Sequence, residues 1–220
     1  MVLAVTDARS HYVPGQDRKQ SLRAELLGLR RSMPRAQLEI VSGALTRELA
    51  EHPLWLGARG IAAFVGVRGE VDTRPLLERC LGAGKSVWLP RLTGPGRMRF
   101  WPCVDLDRLE RGAMGLLEPP IHGPGELAPG PERGVDLILV PGLGFGRDGA
   151  RLGFGAGHYD RALATRHGDP SLTMPTLCGV CPVAFVDPPG GPIPMLGHDL
   201  AMDYLATDAG VERCVARPGA

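Results

Sequence analysis

The segment RLGFGAGHYDR, residues 151–161, sets Gly153, Gly155 and Gly157 at every second position between Arg151 and the neighbours Tyr159 and Asp160. Glycines so spaced cannot build a core. Without Cβ atoms the chain adopts positive φ and lets a ligand approach its main chain closely. Successive backbone N–H groups in such a turn converge on one anion. A helix opening near His158 or Tyr159 adds the partial positive charge of its N-terminus. Arg151 supplies a permanent cation with a fork of donors. Asp160 offers a hard carboxylate suited to magnesium beside a polyphosphate. Together these groups suit the holding of a nucleoside triphosphate. A tight turn in a chain with 31 glycines would explain the glycines alone equally well, and the Arg, Tyr and Asp beside them decide for a ligand. The stretch has neither the GK[ST] of a Walker loop nor the full GxGxxG of a dinucleotide fold.

Such a turn needs a strand before it and a helix after it. DLILV, 136–140, is an apolar run that reads as a strand, and HYDRALATRH, 158–167, reads as a helix. Upstream, leucines at 22, 26, 27 and 29 predict an amphipathic helix over 19–33. Ser32-Met33-Pro34 reads as a stop and restart, with Pro34 in the first turn of a second helix running to Pro53 on apolar positions 38, 41, 45 and 49. GIAAFVGV, 60–67, reads as a buried strand, and Thr73 as the cap of a helix ended by Gly82 and Gly84. SVWLP at 86–90, MRFWPC at 98–103, TLCGVCPVAF and AMDYLAT read as further strands, whereas 104–134 has no period. Alternating strands and helices predict an α/β domain with a mainly parallel sheet and helices on both faces, the ligand lying at the strands' carboxyl ends. The expected organisation is a flexible arm over 1–18, a single domain over 19–208 and a loose tail over 209–220.

Composition narrows the function classes. With 220 residues, 44% of them hydrophobic, the chain can bury one sizeable core. A formal net charge of +1 argues against nucleic acid as a partner. No apolar run approaches the roughly 18 residues of a membrane span, and MVLAVTDARSHY lacks the parts of a signal peptide, so the expected location is cytoplasmic and no membrane partner is expected. Of the 25 basic residues only Lys19 and Lys85 are lysines. Five cysteines include Cys178-Gly-Val-Cys181, whose flanks read as extended chain. Small buried residues are the favoured reading over a redox or zinc pair.

DLILVPGLGFGRDGARLGFGAGHYDRAL resembles the central motif of the 5-formyltetrahydrofolate cyclo-ligase, or methenyltetrahydrofolate synthetase, family. KQSLR at 19–23, FVGVRGEVDT at 64–73, Pro90-Arg91 and GHDLAMDYLAT at 197–207 are similar to further family segments in the same order. The resemblance implies a three-layer αβα fold of the kind shared with ribose-phosphate isomerases and coenzyme A transferases. It implies ATP- and Mg2+-dependent closure of 5-formyltetrahydrofolate to 5,10-methenyltetrahydrofolate, with ADP and phosphate released. A monomer is expected. Carried over by motif, Lys19, Gln20, Ser21, Leu22 and Arg23, with Arg151, Leu152, Gly153, Phe154, Gly155, Ala156, Gly157, His158 and Tyr159, bind ATP. Val65 and Glu70, with Phe154 to His158, meet the folate. Asp160 and Asp199 hold the metal, and Arg151 and Asp160 serve catalysis. Ala156 and His158 stand where lysine and tyrosine are common in the family, which leaves open a relative that binds nucleotide or folate without this turnover.

Overall fold

The computed structural model describes residues 15–67, 69–112 and 115–215. The expected arm therefore lies mostly outside the described residues, but its last part does not. Helix α1, Gln16–Ser32, begins within it. Helix α2, Arg35–Glu51, follows, with Pro34 at the capping position rather than inside the first turn, and a short α3, Pro53–Leu56, comes next. Strand β1 is only Gly60–Ala62. Helix α4, Arg74–Gly82, starts after Thr73, whose hydroxyl does not cap it. That hydroxyl donates to the Phe64 carbonyl and accepts from the Gly66 N–H, tying down the loop that leaves β1.

Strands β2, Ser86–Gly94, and β3, Arg97–Pro102, form a hairpin, and β2 runs four residues past the expected end at Pro90. The segment that showed no period holds a small hairpin of β4, Glu110–Arg111, and β5, Leu117–Glu118. Strand β6, Leu137–Pro141, leads into a second small hairpin of β7, Gly144–Phe145, and β8, Arg151–Leu152. Then come α5, His158–His167; β9, Thr176–Val180; β10, Tyr204–Thr207; and β11, Gly210–Arg213. The expectation of a loose tail from 209 is corrected here, because β11 pairs antiparallel with β10 at the sheet edge.

The seven-stranded sheet runs β11-β10-β9-β6-β1-β2-β3. The strands from β10 to β2 are parallel, and only the two edge strands run antiparallel. Alternation along β6 builds the layers. Ile138 and Val140 pack on one face with Leu22 and Leu26 of α1 and Leu163 of α5. Leu137 and Leu139 pack on the other with Leu45 and Leu49 of α2 and Leu76 and Leu77 of α4. Full burial on both faces is why β6 reads as a continuous apolar run. The α/β, three-layer αβα class is thus as expected. Leu22 and Leu26 are fully buried, worth about 1.5–3 kcal/mol each, and their burial fixes how α1 is rotated. Cys178 in β9 and Cys181 just beyond it are buried free thiols, and burial pushes both up from the ordinary thiol range. That agrees with their reading as small core residues. Among the described residues no helix is long and apolar enough to cross a membrane.

Candidate functional site

The parallel strands β6, β1 and β2 end at one cavity of about 550 Å³, reached through Pro141, the Phe64–Val67 loop and Pro90. This is the carboxyl end of the sheet, where chain reversals leave room for a ligand. The glycine turn forms one wall. Gly155 and Gly157 take φ of 100° and 63°, values that side chains disfavour, and α5 begins immediately afterwards at His158. Arg151, at the start of β8, donates to the Pro141 carbonyl at 3.1 Å and to Asp160 Oδ1 at 2.7 Å. Strand, turn and helix are thereby locked together by one guanidinium.

Helix α1 lies across this wall because its leucines must face the sheet. Lys19 is buried, and its ammonium pairs with the Asp199 carboxylate. Asp199 also accepts from the Leu196 N–H at 2.6 Å. Arg23 Nε donates to the Gly153 carbonyl at 3.0 Å, so the helix braces the glycine turn directly. The run 19–23 does not act as a unit. Lys19, Gln20 and Arg23 line the cavity, Ser21 is exposed away from it, and Leu22 belongs to the core. Leu152 likewise points into the core, its neighbour Arg151 into the cleft. The side chains of Ser21, Leu22 and Leu152 therefore do not line this cavity. The helix period of 3.6 and the strand period of 2 turn them away.

The opposite wall is apolar, with Phe64, Val65, Leu92, Met98, Leu116 and Leu117 facing the cavity and Phe154 half-exposed across from them. Two carboxylates interrupt it. Glu70 accepts from the Val67 N–H at 3.1 Å and lies 3.7 Å from Arg30 Nη1. Burial raises its pKa above the ordinary carboxylate range, while the Val67 N–H and Arg30 pull it back down. Glu118, nearly fully buried, accepts from the Leu92 N–H at 3.0 Å. It fits only because Gly112 opposite has no side chain, since a Cβ there would fall 1.9 Å from Oε2.

Sequence reasoning missed Glu118, Met98 and Arg30. Arg30 is buried, donates to the Gly142 carbonyl at 2.8 Å and sits 5.3 Å from the Phe154 ring centroid. Its Nε and Nη1 and the Tyr159 hydroxyl are buried without a hydrogen-bond partner. The Tyr159 phenol is pushed strongly up by burial and, less, by Glu70. His158 shifts down, through burial and then Arg161, which favours the neutral ring.

A basic glycine turn at the carboxyl ends of parallel strands, facing an apolar wall with buried carboxylates, defines an α/β enzyme cleft. It suits a polyanion at one end and a flat, hydrogen-bonding ring system at the other. The sequence matches the model of the 5-formyltetrahydrofolate cyclo-ligase family over residues 15–208. It is 35% identical over 193 residues to a 5-formyltetrahydrofolate cyclo-ligase of Mycolicibacterium smegmatis, covering 86% of this chain and 93% of that one. It is 30% identical over 198 residues to the mouse 5-formyltetrahydrofolate cyclo-ligase, covering 85% and 92%. The structure superposes on Aquifex aeolicus 5,10-methenyltetrahydrofolate synthetase with a TM-score of 0.72 and 28% identity, covering 92% of this chain and 95% of that one. The chain belongs to the 5-formyltetrahydrofolate cyclo-ligase family.

Proposed function

We propose that this protein closes 5-formyltetrahydrofolate to 5,10-methenyltetrahydrofolate at the expense of ATP. The observation that carries the reading is that one cavity is bounded by the glycine turn with Lys19, Arg23 and Arg151 on one side and by Glu70 among apolar side chains on the other. ATP lies along the first and the pterin along the second. The formyl oxygen is a poor leaving group, so it first attacks the γ-phosphorus, and ADP departs. N10 then attacks the formyl carbon. Phosphate leaves with the former formyl oxygen, and N10 gives up its proton. The protein positions two substrates and neutralises charge on the transferred group, which is most of what such a transfer requires.

Lys19 and Arg151 exchange their present carboxylate partners for phosphate oxygens, and the positive-φ turn offers its N–H groups. Glu70 accepts from the pterin N–H groups. The Tyr159 hydroxyl gains a partner when the substrates enter. Asp160 and Asp199 fit Mg2+ of the kind held by one or two carboxylates plus phosphates. Both line the cavity and each already balances a positive group there. Among the described residues no cluster of three such ligands forms a cage of its own. When bound, the ion supplies charge neutralisation between phosphates. The test is the methenyl absorbance on mixing the protein with 5-formyltetrahydrofolate and Mg-ATP. A rise that needs ATP is expected. Absence of the chromophore at ample enzyme overturns the reading, and calorimetric binding without it assigns the chain instead to a non-catalytic binder.

A further inference from the structure

One buried cation of α1, Arg30, has no part in the reaction as proposed. It does not line the cavity, and its guanidinium is fixed on three sides. Nη2 donates to the Gly142 carbonyl at 2.8 Å, and the ring centroids of Phe154 and Phe185 lie 5.3 and 5.8 Å from Cζ. The remaining side meets the loop that carries Glu70. Gly69 takes φ 80° there, and a Cβ on it would fall 3.2 Å from Arg30 Cγ, so the loop rests directly on the arginine stem. Nη1 is buried without a hydrogen-bond partner, and Glu70 Oε1 stands 3.7 Å from it. Closing about 0.9 Å of that gap would make a charge-assisted hydrogen bond.

We infer that Arg30 is a positioning residue for folate recognition, which supports the loop of Glu70 and keeps that carboxylate an ionised acceptor facing the pterin. The inference rests on the proposed function. The 2-amino and N3–H groups of a pterin present two donors side by side. A carboxylate meets them with one oxygen each, whereas a protonated carboxyl sets its own O–H against one of them. Glu70 is only 11% exposed, and a buried carboxyl without a nearby cation keeps its proton to higher pH. Among the described residues, the titratable groups that interact with Glu70 are Arg30 from α1 and Tyr159 from α5. The Tyr159 phenol is pushed strongly up and stays neutral, as does the buried Cys181 thiol beside Arg30. Arg30 is therefore the charge among these groups that holds Glu70 ionised.

The test compares wild type, Arg30→Met and Arg30→Lys between about pH 6 and pH 9. In Arg30→Met the KM for 5-formyltetrahydrofolate should rise about tenfold near pH 7 and return towards wild type near pH 9, where Glu70 ionises unaided. The KM for ATP should not follow this course. Folding stability of the same variant falls over that range, because the uncompensated charge forms inside the protein. Affinity that improves while stability falls is an opposition that a merely structural role does not produce. Arg30→Lys keeps the charge, so its folate KM should keep the pH dependence of wild type, and it carries the comparison if Arg30→Met folds poorly. The Glu70 carboxyl resonance, followed by NMR without substrate, should titrate about one pH unit or more higher in Arg30→Met. An unmoved Glu70 titration overturns the inference, and so does a folate KM raised equally at both ends of the range. The resonance needs no folate, so failure of the positioning role is told apart from failure of the proposed function.

Discussion

Replacing Arg30 with Met leaves the Glu70 carboxylate without its buried partner. The two side chains are only 6% and 11% exposed and lie 3.7 Å apart. At that distance and an effective dielectric near 20, unit charges attract by about 4.5 kcal/mol. Breaking such a pair by removing one member costs about 3–5 kcal/mol, because the other charge stays desolvated. The carboxylate escapes part of this cost by taking a proton. Its pKa in the folded protein is already raised, by burial first, and loss of Arg30 raises it further. A carboxyl raised by folding contributes stability that is fully present below its unfolded pKa and is lost as pH rises through the folded one. In Arg30→Met that loss therefore extends to higher pH than in wild type. Urea unfolding should show the variant destabilised by about 1 kcal/mol near pH 5, from the lost bond to Gly142, and by about 3 kcal/mol or more at pH 8. The double variant Arg30→Met/Glu70→Gln should recover most of the pH 8 loss, a coupling that the two single changes do not predict by addition. An equal deficit at both pH values would refute the electrostatic account and leave Arg30 as packing.

Asp160→Ala should reduce methenyl formation at least a hundredfold, and a fully active variant would remove Asp160 from the proposed catalytic and metal roles. Gly155→Ala forces a side chain onto φ 100°, at a local cost of about 1–3 kcal/mol, and should raise the KM for ATP about tenfold as measured by initial rates. Tyr159→Phe removes a buried hydroxyl that has no hydrogen-bond partner, so thermal unfolding should show the protein unchanged or more stable by about 1 kcal/mol. Turnover of the same variant should fall about tenfold, and unchanged turnover would mean that the hydroxyl meets neither substrate.

The parts of the fold legible in the sequence were those with a local period. DLILV and the leucines of α1 announce their burial directly. On α1 the signal extended further than the leucines: Lys19, Leu22, Leu26 and Arg30 all lie on its buried face. The position of Arg30, four residues after Leu26, puts a charge on that face, but in a chain where nearly all 25 basic residues are arginines a single one carries little signal. Within the run 19–23 the helix turns Lys19, Gln20 and Arg23 to the cavity and Ser21 and Leu22 away, a division that a match by motif does not resolve. Glu118 escaped because β4 and β5 are two residues each and are specified by pairing across the chain, not by period. For the same reason Gly210–Arg213 read as fray, since a short polar strand exists only through its partner β10.

In the cleft the charges stand as close doublets, Lys19 with Asp199, Arg151 with Asp160 and Arg30 with Glu70. The field of a doublet decays faster with distance than that of a lone ion, and salt erases what remains within about a Debye length. The three doublets therefore project little potential into solution, and Arg23, held by the Gly153 carbonyl, is the cation of this wall that keeps its reach. An arriving polyanion meets Arg23 first, and Lys19 and Arg151 become available to it by trading partners on contact.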